Sequence, residues 1–292
     1  MGGKRMKRRI HITGSHLFGL LITYCALGLF ALFAIYPLVW LFINSFKTTQ
    51  EFYLNRLRLP GAVSGYGWTL LNFKTSWNAG HFSVLIMNSF LYTVITVTFS
   101  TLLSLMSGFA FAKLKSKATP FLHNTYIIGL LLTIQSIMVP LFLVINWTGL
   151  YNTRIGILIP YIGISLPLAV YLSTEYIKGI PSAVIESARI DGASFATIFY
   201  KIIVPMSTPV ATTIAIFTIT ATWNEFMLIN ILTSDDALKS LPVGIQQFSG
   251  TLSTDFCKQF AALTIGVLPI LIFYLLFRKE ITKGISAGAV KG

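Results

Sequence analysis

The 292-residue chain is 54% hydrophobic and only 11% charged, with a mean hydropathy of +0.75. A soluble domain carries about 25% charge, so too little charge is present to solvate a water-borne surface, and lipid is the solvent this composition demands. The formal net charge of +13 does not imply nucleic acid, because the cations sit between apolar runs rather than on one basic face.

The two cysteines, Cys25 and Cys257, both fall in or near apolar segments and read as packed thiols rather than a disulfide or metal pair. Four scattered histidines form no metal-binding pattern.

The chain starts with a basic stretch and then a first apolar run, about 17–43, spoiled only by Pro37. It is too long for a signal-peptide core and lacks a small-x-small cleavage site before Lys47, so it reads as a retained span. A polar connection of about 44–82 follows, with Pro60, several glycines and the aromatics Tyr53, Tyr66, Trp68, Phe73 and Trp77. This suggests a partly ordered, interface-lying segment.

The second span, about 84–112, is rich in small and hydroxyl residues (Ser100, Ser104, Ser107, Gly108) that allow close helix approach. It ends in lysines, Lys113 among them, that read as an anchor at the membrane surface. A third span, about 121–145, contains Gln135 and Pro140, and a buried Gln must find a partner or a pathway. The fourth, about 155–174, is interrupted by Pro160 and Pro167 and is expected to kink. A fifth runs over about 206–232 with Trp223, Asn224 and Glu225 inside it, and a sixth over about 260–277 leads to a basic tail, 278–292.

Six spans place both termini on one side. With the N-terminus inside, fifteen of the 22 Lys and Arg fall inside, and seven outside: Lys47, Arg56, Arg58, Lys74, Arg154, Lys239 and Lys258. That bias puts both termini in the cytoplasm. The sequence therefore predicts an all-α membrane protein with six transmembrane helices, one transmembrane domain over 1–292 with its core at about 84–277.

The same count places the connection at about 176–205 in the cytoplasm. Within it, Glu186 to Pro205 reads ESARIDGASFATIFYKIIVP. Pro181 fixes the approach, and Ser182 is a candidate N-cap. Ile185, Ala188, Gly192, Phe195 and Phe199 recur at helical spacing, yet Asp191-Gly192 is a natural break, with Asp191 able to cap a second helix from about Ala193. Two short helices with a bend are expected, the second offering Phe195 and Phe199 on one side. Pro205 would begin the fifth span. From the residues alone, the pair either caps the end of the bundle or docks onto a soluble partner.

This segment resembles the "EAA" signature of ABC-importer permeases: Glu186-Ser187-Ala188, three residues, Gly192, then Ile202, Val204 and Pro205 at the family's spacing. It departs from the pattern at Ser187 and Val204. SFKT (45–48), NSF (88–90), GFAFAKLK (108–115), MVPLFLVI (138–145), GLYNTRIGILIPY (149–161), WNEF (223–226), LPVG (241–244) and KGISAGAVKG (283–292) extend the likeness to the MalG-like carbohydrate-uptake branch.

The resemblance implies a coupling-helix loop in which Glu186, Ala188, Asp191, Gly192, Phe195, Phe199 and Pro205 engage an ATPase, with the tail residues Gly288 and Lys291 also reaching it. It implies a second homologous permease as heterodimer partner, two copies of an ABC ATPase and an external sugar-binding protein. ATP and Mg would be bound by the ATPase, with no cofactor on this chain and no catalytic or metal site. The setting would be a bacterial or archaeal cytoplasmic (inner) membrane. Gln135, Trp223, Asn224 and Glu225 are the candidate substrate-pathway residues, with bundle packing as the alternative for Gln135 and Trp223 and a bundle-stabilising network equally open for Asn224 and Glu225; the lack of a well-buried cation in the spans favours a neutral sugar. An ion-coupled secondary transporter and a non-transporting recruiter of a cytoplasmic partner are the competing classes. The chain itself has no Walker motif.

Overall fold

The structure, a computed structural model, describes residues 14–114, 116–251 and 255–289, with side chains over 19–114, 116–246 and 255–279. Every regular element among them is helical. Helix α1 (Gly14–Asn44) leads into the short α2 (Thr49–Leu54) and α3 (Leu71–Ala79). Then come α4 (Phe82–Lys113), α5 (Thr119–Gly129), α6 (Ile134–Trp147) and α7 (Arg154–Lys178). The short α8 (Ser182–Ile190) and α9 (Phe195–Ile198) are followed by one π-helical turn, Phe199–Ile203, and by α10 (Val204–Met206). α11 (Thr208–Asn224), α12 (Met227–Leu232), α13 (Leu241–Thr251) and α14 (Phe256–Ala289) complete the chain.

Four helical stretches are long and apolar enough to cross a membrane unbroken: Gly19–Asn44, Phe82–Lys113, Arg154–Lys178 and Phe256–Lys279. The number rises to six if each of two bent pairs counts as one span. The fold is thus an all-α, multi-pass membrane fold in which two of the expected straight spans are broken.

The first break corrects the expectation of a continuous span over 121–145. α5 and α6 meet at 108°. Pro140 lies inside α6 and does not cause it. The helix instead ends at Gly129, where tight i→i+3 bonds from Leu130, Leu131 and Leu132 close the last turn and Thr133 is extended. Gly129 also meets α7 closely, since a Cβ there would lie 3.0 Å from Pro167 Cγ.

The second break, at Glu225-Phe226, separates α11 from α12 and corrects the continuous span expected over 206–232. The 74° bend between Phe195–Met206 and Thr208–Asn224 falls where that span was expected to start. Pro205 lies within α10 rather than starting the span. Lacking an N–H, it leaves the helical bond to Lys201 unmade, and the preceding turn widens so that Val204 N donates to Phe199 O.

α7 runs unbroken through Pro160 and Pro167, where an interruption was expected. Its neighbours supply the enclosure that lets a membrane helix carry proline. α14 likewise continues past 277 to Ala289, so the tail expected from 278 begins as helix.

The central pair is α4 and α7. Ser104 and Gly108 are the contact: Ser173 Oγ donates to Ser104 O at 2.6 Å, and a Cβ on Gly108 would lie 2.4 Å from Ser173 Oγ. Lipid gives no hydrophobic push between helices, so small residues that admit backbone contact are what hold such a pair. The hydroxyl-rich stripe read from the sequence is this interface, with Ser100, Ser104 and Gly108 buried.

At the end of the bundle that begins α4, the polar connection 44–82 is folded onto the start of α14. Thr48 caps α2 by accepting from Glu51 N at 3.2 Å, and Asn72 Nδ2 donates to Ser45 O and Lys47 O, both at 2.7 Å. Lys47 is fully buried, its Nζ donating to Asn55 O at 2.8 Å. The rings of Trp40, Phe52 and Phe260 stack edge-on, with Trp40–Phe260 centroids 5.2 Å apart. Along most of its length α1 instead turns Leu21, Phe30 and Phe33 outward.

Candidate functional site

At the opposite end of the bundle, the segment between α7 and α11 folds into a knob. α8 ends at Ile190 with Asp191 as its C-cap, and Gly192 turns the chain at φ +78°, a conformation open to glycine at little cost. Ser194, not Asp191, caps the next helix: its Oγ accepts from Thr197 N at 3.2 Å, and α9 starts at Phe195. Ser182 is the first residue of α8 rather than its cap, a place held by Pro181. Two short helices with a bend at Gly192 are present as expected, with different capping residues.

The stripe is divided between two directions. Ile185, Ala188 and Phe199 are buried against the chain's own bundle, packed with Phe109, Ile177 and Ile198. The Phe109 and Phe199 rings lie 6.0 Å apart. Burying each such isoleucine or phenylalanine contributes about 1.5–3 kcal/mol relative to leaving it in water, so these residues anchor the knob and are not available to a partner.

The outward surface consists of other side chains. Ile190 is 87% exposed, Tyr200 58% and Phe195 54%, and Glu186 and Asp191 are exposed beside them. The Arg189 guanidinium lies 4.5 Å above the Phe195 ring, a contact worth about 0.5–1 kcal/mol at an exposed site. Ile190 and Tyr200 lie off the stripe, and sequence reading missed them. The one available signal was an isoleucine set between Arg189 and Asp191.

The four candidate pathway residues do not form one site. Trp223 is partly buried on the cluster of Phe82, Leu85 and Leu241. Asn224 is exposed and donates to Thr220 O at 2.8 Å. Glu225 spans the break after α11: Oε1 accepts from Leu228 N at 2.7 Å, and Oε2 accepts from Ile229 N at 3.3 Å and from the Tyr161 hydroxyl at 2.7 Å. It is therefore the capping carboxylate of α12. Gln135 stands exposed in the first turn of α6, beside the 108° bend. In the tail, Gly288 falls in the last turn of α14, and Lys291 lies outside the described residues.

The NSF and LPVG segments find each other. Asn88 Nδ2 donates to Ala237 O (2.7 Å) and Lys239 O (3.0 Å), and Leu241 N donates to Ser89 Oγ at 2.8 Å. Two side chains on α4 thus fix the connection that precedes α13.

The fold is a multi-pass helical membrane fold that carries a partly apolar helical knob at one end. Residues 100–285 match the family described as "Binding-protein-dependent transport system inner membrane component", and the chain belongs to that family. It is 34% identical over 257 residues to the probable ABC transporter permease protein YurM of Bacillus subtilis, covering 88% of this chain and 84% of that one. To the probable starch degradation products transport system permease protein AmyC of Thermoanaerobacterium thermosulfurigenes it is 31% identical, over 94% and 98% of the two chains. The fold matches a chain of a bacterial ABC transporter involved in the import of the acidic polysaccharide alginate, with a TM-score of 0.79, 22% identity and coverage of 91% and 98%. The protein is thus a non-catalytic permease component of a binding-protein-dependent ABC transport system, set in the inner membrane.

Proposed function

We propose that this chain carries a carbohydrate inward as one of two permeases above a pair of ABC ATPases, and that the α8–α9 knob is the coupling element. The observation that carries this is the knob's division into an inner face locked to α4 and α7 and an outer face presenting Ile190, Phe195, Tyr200 and Glu186. A push on the outer face is delivered to rigid membrane helices rather than lost in a loop. The bent pair α5–α6 and the stretch α11–α12 each count as one span beside the four unbroken ones, giving six, and both termini with the knob are cytoplasmic, as the lysine and arginine bias supports. ATP and Mg belong to the partner ATPase, and a separate external binding protein delivers the cargo.

The carbohydrate class is supported by the relatives, one of which is named for starch degradation products. A neutral di- or oligosaccharide is favoured, because the described Lys and Arg of the continuous spans stand near helix ends, leaving no cation in mid-membrane to meet an acidic cargo. Gly192 supplies the bend, Glu186 and Asp191 meet basic groups on the ATPase, and Ile190 and Phe195 fill its groove, while Ala188, Phe199 and Pro205 shape the knob from behind. Gly288 and Lys291 reach the ATPase through the tail. Asn224 and Gln135 are the pathway candidates with exposed amides.

The test is the assembled complex with Ile190→Asp or Glu186→Ala. Both positions are exposed, so the permease itself should fold normally, while ATPase co-purification and sugar-stimulated hydrolysis should fall by about 10-fold or more for Ile190→Asp. Unchanged hydrolysis in both variants would sink the coupling assignment.

A further inference from the structure

Lys113, the last residue of α4, reaches across to the end of α7. Its Nζ donates to Ile180 O at 2.6 Å and to Lys178 O at 3.3 Å. The last carbonyls of a helix have no partner within it and carry its negative pole, so a cation there is doubly favoured. Both carbonyls lie within three residues of Pro181, the residue that starts the knob. A basic residue that charge counting assigns to the membrane surface is thus a cross-link between two helices.

The cross-link does not act alone. About one and a half turns back along α4, Gly108 leaves no room for a Cβ against Ser173 of α7, and Phe109 packs on Phe199 beyond the knob's bend. α4 therefore grips the knob at two points, Phe199 from its far helix and Ile180 at its root.

We propose that Lys113 is a positioning residue that sets the angle at which the knob leaves the bundle, and so how much of each ATPase stroke reaches the membrane helices. The proposal rests on the coupling role given to the knob above. Hydrophobic contacts at Phe199 resist separation but permit sliding, whereas a charge-assisted bond to named carbonyls fixes direction as well. Without it the root at 178–181 can swing, and ATP is hydrolysed with less transport.

The experiment compares Lys113→Met and Lys113→Arg in the reconstituted transporter, reading substrate transported per ATP hydrolysed. For Lys113→Met the expected result is a fall in that ratio of at least about threefold, with Lys113→Arg restoring most of it. A fold or assembly defect lowers transport and hydrolysis together and leaves the ratio unchanged; that result, or a wild-type ratio with normal activity, overturns the proposal. A second reading uses spin labels at Ser116 and Ser187 of the nucleotide-free complex. Lys113→Met should broaden their distance distribution, and an unaltered distribution overturns the proposal whatever the activity. Failure of the coupling role itself is distinguishable, since Ile190→Asp would then leave ATPase association intact while the spin-label result still stands.

Discussion

The Tyr161 hydroxyl donates to Oε2 of Glu225 at 2.7 Å, tying α7 to the break between α11 and α12. The same carboxylate accepts from the first free amides of α12, so one side chain satisfies donors from two helices that would otherwise be unpaired in low dielectric. Replacing Glu225 with Ala should cost about 1–3 kcal/mol, and Tyr161→Phe about 0.5–1.5 kcal/mol. Apparent melting temperatures of the purified transporter in nanodiscs check the order. A larger loss for Tyr161→Phe than for Glu225→Ala would contradict the capping role.

Gly108 offers a double-mutant test of the α4–α7 contact. Gly108→Ala forces Ser173 to move, because the added Cβ would stand 2.4 Å from its Oγ and 2.9 Å from its backbone carbon. Overpacking of this kind costs about 1–3 kcal/mol. Adding Ser173→Gly should recover part of the loss but not all, since the backbone clash remains. Full additivity of the two changes in melting temperature would show that the residues do not touch.

Gly192 at φ +78° has open space around it, so a substitution there meets backbone strain and no clash. Asn tolerates the left-handed region and Val resists it. Gly192→Asn should transport at near wild-type rate, while Gly192→Val should lose about 1–2 kcal/mol of knob stability and transport more slowly. Gly192→Pro cannot adopt this φ and also removes the amide that donates to Arg189 O. It should abolish transport, as a vesicle uptake assay would reveal.

The connection 44–82 is pinned to α14 through Asp255, which accepts from Thr49 Oγ1 at 2.7 Å and pairs with Lys258 at 2.7 Å. Burial by itself would raise the Asp255 pKa, but the bonds from Lys258 and Thr49 outweigh it and hold the carboxyl below its usual range. A depressed folded pKa gives stability that is present above the unfolded value, about 3.9, and is lost as pH falls through the folded one. Thermal stability should therefore decline as pH drops below about 4, and Asp255→Asn should flatten that part of the profile. An identical acid limb in wild type and variant would show that Asp255 is not the group responsible.

The sequence by itself determined the solvent and the family. Charge scarcity required lipid, six apolar runs marked the membrane segments without saying which are broken, and the spacing from Glu186 to Pro205 marked the knob and its bend at Gly192. These are properties of composition and of local backbone chemistry, which a chain carries before it folds.

Only the tertiary structure decided direction. Helical periodicity puts Phe195 and Phe199 near one face, but it cannot say that Phe109 waits for Phe199 while Phe195 is left outward beneath Arg189. Hydropathy sums along a run and is blind to a bend, so the 108° break after Gly129 was hidden in an apolar stretch, whereas Pro160 and Pro167, which read as breaks, sit in an unbroken α7. Glu225 read equally as a pathway group or as part of a bundle-stabilising network, because a carboxylate in a span must have some partner. Which partner depends on Tyr161, 64 residues earlier, and long-range pairing of that kind is set by packing rather than by spacing.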